Sequence, residues 1–284
     1  MSLQNLTFKK AYFEITNVCN ANCTFCPKNG RAPHFVTDSE FDHVTDQLTC
    51  KVEYLYFHLM GEPLLHPHIK EFSLIAKNKG FKVMITTNGI LSDSIGISLV
   101  NSGAVNKVSI SLHSYESNSF GISLDEYLSR CIKLADACVN NKTVCAFRLW
   151  NIGYNDSQNS SIINKLREHY SNEWSEIRTG YKIKDYLFIE WGDHFDWPDI
   201  NIREPLSNNL FCYGLRNQIG ILSNGTVVPC CLDSEGNIPL GNIYSSTLND
   251  ILSSDRAKAI YDGFSNHIPS EELCKKCGYA KRFN

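Results

Sequence analysis

Through the first 190 residues, short runs of β-branched and aromatic residues alternate with stretches whose apolar positions recur at helical spacing. Ala11–Thr16 (AYFEIT), Val52–Leu59 (VEYLYFHL), Phe81–Thr87 (FKVMITT), Val105–Leu112 (VNKVSISL), Thr143–Trp150 (TVCAFRLW) and Tyr186–Trp191 (YLFIEW) read as six strands. Helical patterns separate them. One starts at the capping sequence Asp38-Ser39-Glu40 and reaches about Leu48. A second runs from beyond His68 to Lys79, where Gly80 stops it. Others cover 92–101, 124–140 and 157–170, and in the fourth Leu124, Leu128, Cys131, Leu134 and Cys138 share a face. This alternation predicts βαβ units on a parallel sheet. Right-handed crossovers curl such a sheet toward a barrel. The expected fold class is α/β, a partial (β/α)6 TIM-like barrel, with ligands at the C-terminal strand ends.

The pattern changes near residue 192. Residues 192–207 are turn-rich and read as a linker between a barrel domain, 10–191, and a small C-terminal domain, 208–284. There Gln218–Leu222 and Thr226–Cys230 flank Ser223-Asn224-Gly225, a strong hairpin signal. Two short helical patterns follow near 247–253 and 255–263, giving a hairpin-plus-helix domain.

Charge narrows the partners. With 27 basic and 30 acidic residues the net charge is −3, so no basic excess exists to neutralise a nucleic-acid backbone. The N-terminus MSLQNLTFKK has no export signal, and no apolar run approaches the roughly 18 residues of a membrane span. A cytoplasmic location is expected, with cysteines reduced and free to act as metal ligands, nucleophiles or core residues.

Twelve cysteines then become informative. Cys19, Cys23 and Cys26 share one short loop after the first strand. Three thiolates on a four-iron four-sulfur cube leave one iron open, the mark of a reactive site. A zinc site, core thiols or half of a disulfide pair are the alternatives. After strand two, Met60-Gly61-Glu62-Pro63 combines a residue that permits close backbone approach with a rigid turn, and Glu62 is placed to orient the loop. Thr87 and Asn88 end strand three, first of all as a turn with Gly89, second as a ligand wall. Ser109 and Ser111 alternate with apolar neighbours and should face the barrel interior. His113 is either a ligand contact or a satisfied surface histidine. Arg148 lies in an apolar strand, where a buried arginine is costly unless paired; facing inward it should bind an anion, facing outward it is an edge residue.

Cys212, Cys230, Cys274 and Cys277, with 17, 43 and 2 residues between them, form a second set. Four thiolates fit a fully ligated cube, although the C-x-x-C pair also suits zinc or a redox dithiol. Cys231 adjoins Cys230 and should face the other way, leaving it as the spare. Cys50, Cys131, Cys138 and Cys145 lack metal-ligand spacing and read as buried core thiols.

The three-cysteine loop, the Gly61-Glu62-Pro63 segment and the strand order resemble the radical S-adenosylmethionine (SAM) superfamily over residues 10–190. Over 208–284 the second cysteine set is similar to auxiliary-cluster domains of the SPASM and twitch type. The resemblance implies a SAM-binding 4Fe–4S cluster on Cys19, Cys23 and Cys26, reductive cleavage of SAM to a 5′-deoxyadenosyl radical, and hydrogen abstraction from substrate. It implies that Phe25 lies near the adenine, unless it is a core aromatic. It implies further that Met60, Gly61, Glu62 and Pro63 meet the SAM amino group, and that Ser109, Ser111 and His113 meet its carboxylate or ribose. Arg148 would take the SAM carboxylate or a polar substrate.

Few residues follow Cys277 and none is cysteine, so one auxiliary 4Fe–4S cluster is expected. That cluster would accept an electron from the substrate radical, making the protein an oxidoreductase for a small molecule. Modification of a peptide is the alternative, which the lack of a separate segment before residue 10 disfavours. A two-cluster electron carrier without catalysis is the alternative of another class. A flavodoxin- or ferredoxin-type electron donor is the implied partner.

Overall fold

The structure, a computed structural model, describes residues 7–171 and 173–283; the first six residues, part of the stretch read for an export signal, lie outside these. The chain runs β1 (Phe8–Phe13), α1 (Asp38–Leu48), β2 (Val52–Tyr56), α2 (Ile69–Asn78), β3 (Lys82–Thr87), α3 (Ile97–Asn101), β4 (Val105–Ser111), α4 (Leu124–Asn140), β5 (Val144–Ile152) and α5 (Asn159–Tyr170). A hairpin, β6 (Ser175–Ile177) and β7 (Gly180–Lys184), then leads to β8 (Leu187–Asp193). The remainder holds β9 (Gln218–Ile221), β10 (Thr226–Val228), β11 (Gly241–Asn242), α6 (Leu248–Leu252), α7 (Asp255–Ser265) and α8 (Glu272–Lys275).

Strands β1, β2, β3, β4, β5 and β8 are parallel neighbours in that order. The sheet does not close: among the described residues its edges are β11 and β6. This is an α/β partial barrel. Alternation along each strand sorts the two faces. On β1, Phe13 packs outward on Phe41 of α1 at 5.7 Å, and Phe41 stacks on Phe72 of α2 at 4.0 Å. All three rings are fully buried, worth about 2–3 kcal/mol each from apolar burial. Lys10 and Tyr12, the intervening residues, line the interior cavity instead.

Three details depart from the sequence pattern. Strand β1 begins at Phe8 and ends at Phe13, because Lys9 and Lys10 interrupt an apolar run that the sheet nonetheless pairs, Phe8 opposite Val52. Helix α1 is capped by Thr37, one residue before the expected start, in a reciprocal capping box with Glu40. The hairpin β6–β7 was not anticipated, although Tyr181 and Ile183 alternate with lysines after a Thr179-Gly180 turn.

A further departure decides the site. The expected C-terminal hairpin forms, with Val227 opposite Ile221, but β9 also pairs in parallel with β1, from Lys10–Gln218 to Phe13–Ile221. The C-terminal segment therefore extends the barrel sheet and brings its cysteines beside β1. Among the described residues, no helix is long and apolar enough to cross a membrane.

Candidate active site

The cysteine loop leaves the C-terminal end of β1, and neighbouring strand ends pin it. Gly61 sits at φ +76°, and a Cβ there would lie 2.3 Å from the Thr16 carbonyl oxygen. Only glycine allows that approach. Gly61 thus lies against the cysteine loop's own backbone, and Glu62 N–H donates to the Val18 carbonyl at 2.8 Å. The buried Glu62 side chain accepts from the amides of Leu64 at 3.1 Å and Asn88 at 2.7 Å, tying the ends of β2 and β3 together. Burial pushes its carboxyl up to about 7. Pro63 opens a single 3₁₀ turn, and Met60 N–H donates to Glu14 at 3.0 Å.

Thr87 and Asn88 are buried. The Asn88 amide donates to Asn20 at 2.7 Å and points at Cys19 Sγ, 3.9 Å away. From the far side, Asn118 donates to Cys23 Sγ at 3.0 Å. The backbone amides of Ala21 and Lys28 donate to Cys19 and Cys26 Sγ, each at 3.4 Å. Burial pushes the half-buried Cys23 and Cys26 thiols up from their ordinary range. Aimed N–H donors favour thiolates over thiols, and the three thiols are within electrostatic range of one another. The donor set fits an iron–sulfur cluster.

The second set comes together as well. Cys212, Cys230, Cys274 and Cys277 line one cavity whose other walls include Leu210, Pro229, Ile238, Phe264 and Leu273. Gly214 N–H donates to Cys212 Sγ at 3.4 Å. Cys231 lines a different cavity, where its thiol lies against the Tyr12 hydroxyl. Among the described residues no three His, Cys, Asp or Glu side chains converge tightly enough for a single ion. Thiols spread round a cavity suit the separate corners of a cube. Of the other cysteines, Cys131, Cys138 and Cys145 are buried in the core, whereas Cys50, expected there too, is exposed at φ +63° in the turn after α1.

A cavity of 550 Å³ is lined both by Phe25, the residue before Cys26, and by Cys231, the residue after Cys230. Ser111, His113 and Arg148 line it, while Ser109 is buried below. His113 is not a surface residue. Its Nδ1 lies 3.0 Å from the Arg148 carbonyl, its ring packs on Phe25 at 4.9 Å, and burial pushes its pKa down to about 4. Arg148 faces inward, and its anion is within the chain: Nε donates to Glu190 on β8 at 3.1 Å, and a side-chain nitrogen donates to Thr86 at 3.3 Å. Lys107 shares Glu190 at 2.5 Å.

Sequence reasoning did not single out Glu14, Arg31, Glu190, Asn118, Lys10 or His58. Glu14 carried the same signal as Arg148, a charge inside an apolar strand. Glu190 in YLFIEW and His58 in VEYLYFHL carried it too, whereas Arg31, Asn118 and Lys10 gave no local signal.

The family model described as the radical SAM superfamily matches residues 13–166, more than half of the chain. A second, an iron–sulfur cluster-binding domain of the SPASM type, matches residues 212–278. The chain belongs to the radical SAM superfamily. It is an enzyme of that family, with SAM and a 4Fe–4S cluster as cofactors and auxiliary iron–sulfur binding in the SPASM region.

Similar solved structures include BtrN in complex with AdoMet and 2-DOIA, with TM-score 0.61 and 18% identity, covering 95% of this chain and 92% of that one. Native anSMEcpe with bound AdoMet and Kp18Cys peptide has TM-score 0.62 and 13% identity, covering 97% and 90%. At such identities the likeness is one of fold. The GTP 3′,8-cyclase of Chlorobaculum tepidum is 32% identical over 165 residues, 55% of this chain, which spans about half the length of that curated relative.

Proposed function

We propose that this protein is a radical SAM oxidoreductase that removes a hydrogen atom and then an electron from a small polar molecule held in the 550 Å³ cavity. One observation carries the reading: the same cavity is bounded by Phe25 of the first cysteine loop and by Cys231, next in sequence to Cys230 of the second set. Cys19, Cys23 and Cys26 would hold the SAM-binding cluster, which with SAM supplies a 5′-deoxyadenosyl radical. Cys212, Cys230, Cys274 and Cys277 would hold one auxiliary cluster, whose full ligation suits it to electron uptake.

The remaining work falls to the chain. Asn118 and Asn88 orient the loop through its sulfurs. Glu62 holds the segment proposed to meet the SAM amino group. Phe25 and His113 wall the radical's position from solvent, and Ser111 offers a hydroxyl to SAM. Arg148, steadied by Glu190, presents its guanidinium to the SAM carboxylate or substrate. Residues 10–191 thus serve SAM and 208–284 the second redox centre, with 192–207 lining the space between. A flavodoxin- or ferredoxin-type donor would supply the electron.

A peptide substrate is the second reading. It is favoured by an adjoining outer cleft of 630 Å³, lined by Cys26, Lys28, Trp197 and Ile200, which shares Phe25 with the inner cavity. Anaerobic reconstitution tests the first premise. It should yield about eight irons per chain, as two four-iron clusters require, and 5′-deoxyadenosine from SAM once reductant is added. Well-loaded protein that makes none would end the proposal. Turnover of a co-encoded short peptide, but of no small molecule, would transfer it to the second reading.

A further inference from the structure

The cavity wall is unevenly charged. Lys10 and Arg148 line it, and no carboxylate does among the described residues. Arg148 has Glu190 behind it. Lys10 has no acidic partner among the described residues: its ammonium lies 5.6 Å from the centre of the Tyr12 ring. Lys10 sits one inward position deeper along β1 than Tyr12, beside Gln218 of β9 and away from the loop end that SAM would occupy.

His58 packs edge-on against the same Tyr12 ring, 5.7 Å between centres, and equally against Tyr56. Its Nδ1 is sealed from solvent without a hydrogen-bond partner. Burial and the nearby Arg148 charge hold the ring neutral, its pKa pushed down to about 3. With Nδ1 enclosed, a cavity ligand can meet this ring, one of the cavity's walls, only through Nε2, which in a neutral imidazole either donates or accepts one hydrogen bond. Both groups thus flank one tyrosine ring, the Lys10 ammonium 5.6 Å and the His58 ring centre 5.7 Å from its centre.

We infer that the substrate carries an oxyanion, a carboxylate or a phosphate, that pairs with Lys10, and a hydroxyl that hydrogen-bonds His58. An amine-bearing substrate would instead add a cation to a wall already holding two, a like-charge juxtaposition that selects against it. The inference rests on the cavity being the substrate site.

Four matched three-carbon probes test it by equilibrium dialysis against the full chain, carrying both clusters, unreduced, with SAM saturating and ionic strength constant. They are glycerate, glycerol 3-phosphate, glycerol and 3-amino-1,2-propanediol. At least one anion should bind about tenfold more tightly than glycerol and the amine. Lys10→Gln should erase that preference, Lys10→Arg should keep it, and Lys133→Gln on the exposed face of α4 should leave it unchanged. His58→Phe should weaken all the hydroxyl-bearing probes alike.

Equal binding of all four, no saturable binding by either anion, or an anion preference that survives Lys10→Gln would overturn the inference. Anion binding seen only without SAM would also overturn it, by assigning the cations to SAM itself. Because no turnover is read, failure here is separable from failure of the oxidoreductase reading, which appears as absent 5′-deoxyadenosine in the reduced preparation.

Discussion

Glu14 and Arg31 form a bidentate ion pair, 2.7 and 2.8 Å, with the carboxylate wholly buried. Glu14 also accepts from the amides of Met60 at 3.0 Å and Ser223 at 2.9 Å, and Arg31 Nε donates to the Ser234 carbonyl at 2.9 Å. One carboxylate thus joins the end of β1, the chain beyond the cysteine loop, the segment before Gly61 and the C-terminal hairpin. Every lone pair direction is used, which is what a buried carboxylate needs.

Removing one partner of such a pair leaves the other charge buried. Arg31→Met is therefore expected to cost about 3–5 kcal/mol. Arg31→Lys, which keeps the charge but loses the fork, should cost less. Thermal unfolding of the reconstituted variants checks the order; equal, small losses would show the pair to be peripheral.

Gly61→Ala should damage the cysteine loop before the rest of the fold. The new methyl would lie 2.3 Å from the Thr16 carbonyl oxygen at a positive φ, a strain of roughly 1–3 kcal/mol or more. Iron content should fall toward that of the auxiliary set alone while far-ultraviolet dichroism stays near wild type.

The two adjacent cysteines should behave differently. Cys230→Ser or Cys274→Ala should lose about half of the iron and abolish substrate oxidation while SAM cleavage remains measurable. Cys231→Ser should keep both clusters, because Cys231 lines the Tyr12 cavity and not the one the other four share. Full iron loading in Cys230→Ser with half loading in Cys231→Ser would reverse the assignment.

His58 and His113 make folding sensitive to acid. Their folded values, about 3 and about 4, lie below the ordinary 6.5, so the unfolded chain binds more protons than the native one in that interval. Stability should be full above about pH 6.5 and fall as pH drops toward 4, by about 1.4 kcal/mol per pH unit per histidine. His113→Gln should flatten this slope relative to wild type in paired unfolding curves at pH 7, 6 and 5. Parallel curves would show that His113 does not titrate in this way.

Much of the site was legible in the chain. The spacing of Cys19, Cys23 and Cys26, the Gly61-Glu62-Pro63 segment and the alternation of strands and helices are local signals, carried by residues close in sequence. Tertiary structure decided the rest. Pairing of β9 with β1 joins residues about 200 positions apart, and it makes Ser223 a donor to Glu14. Inward-facing Arg148 could be expected to seek an anion, but that the anion is Glu190 depends on β5 and β8 being neighbours. Cys230 and Cys231 are neighbours in the chain, and only the packing puts Cys230 in the cavity of the other three and Cys231 beside Tyr12. Chain pattern encodes periodicity and spacing, whereas the partner of a buried charge or thiol is set by which strand ends meet across the barrel.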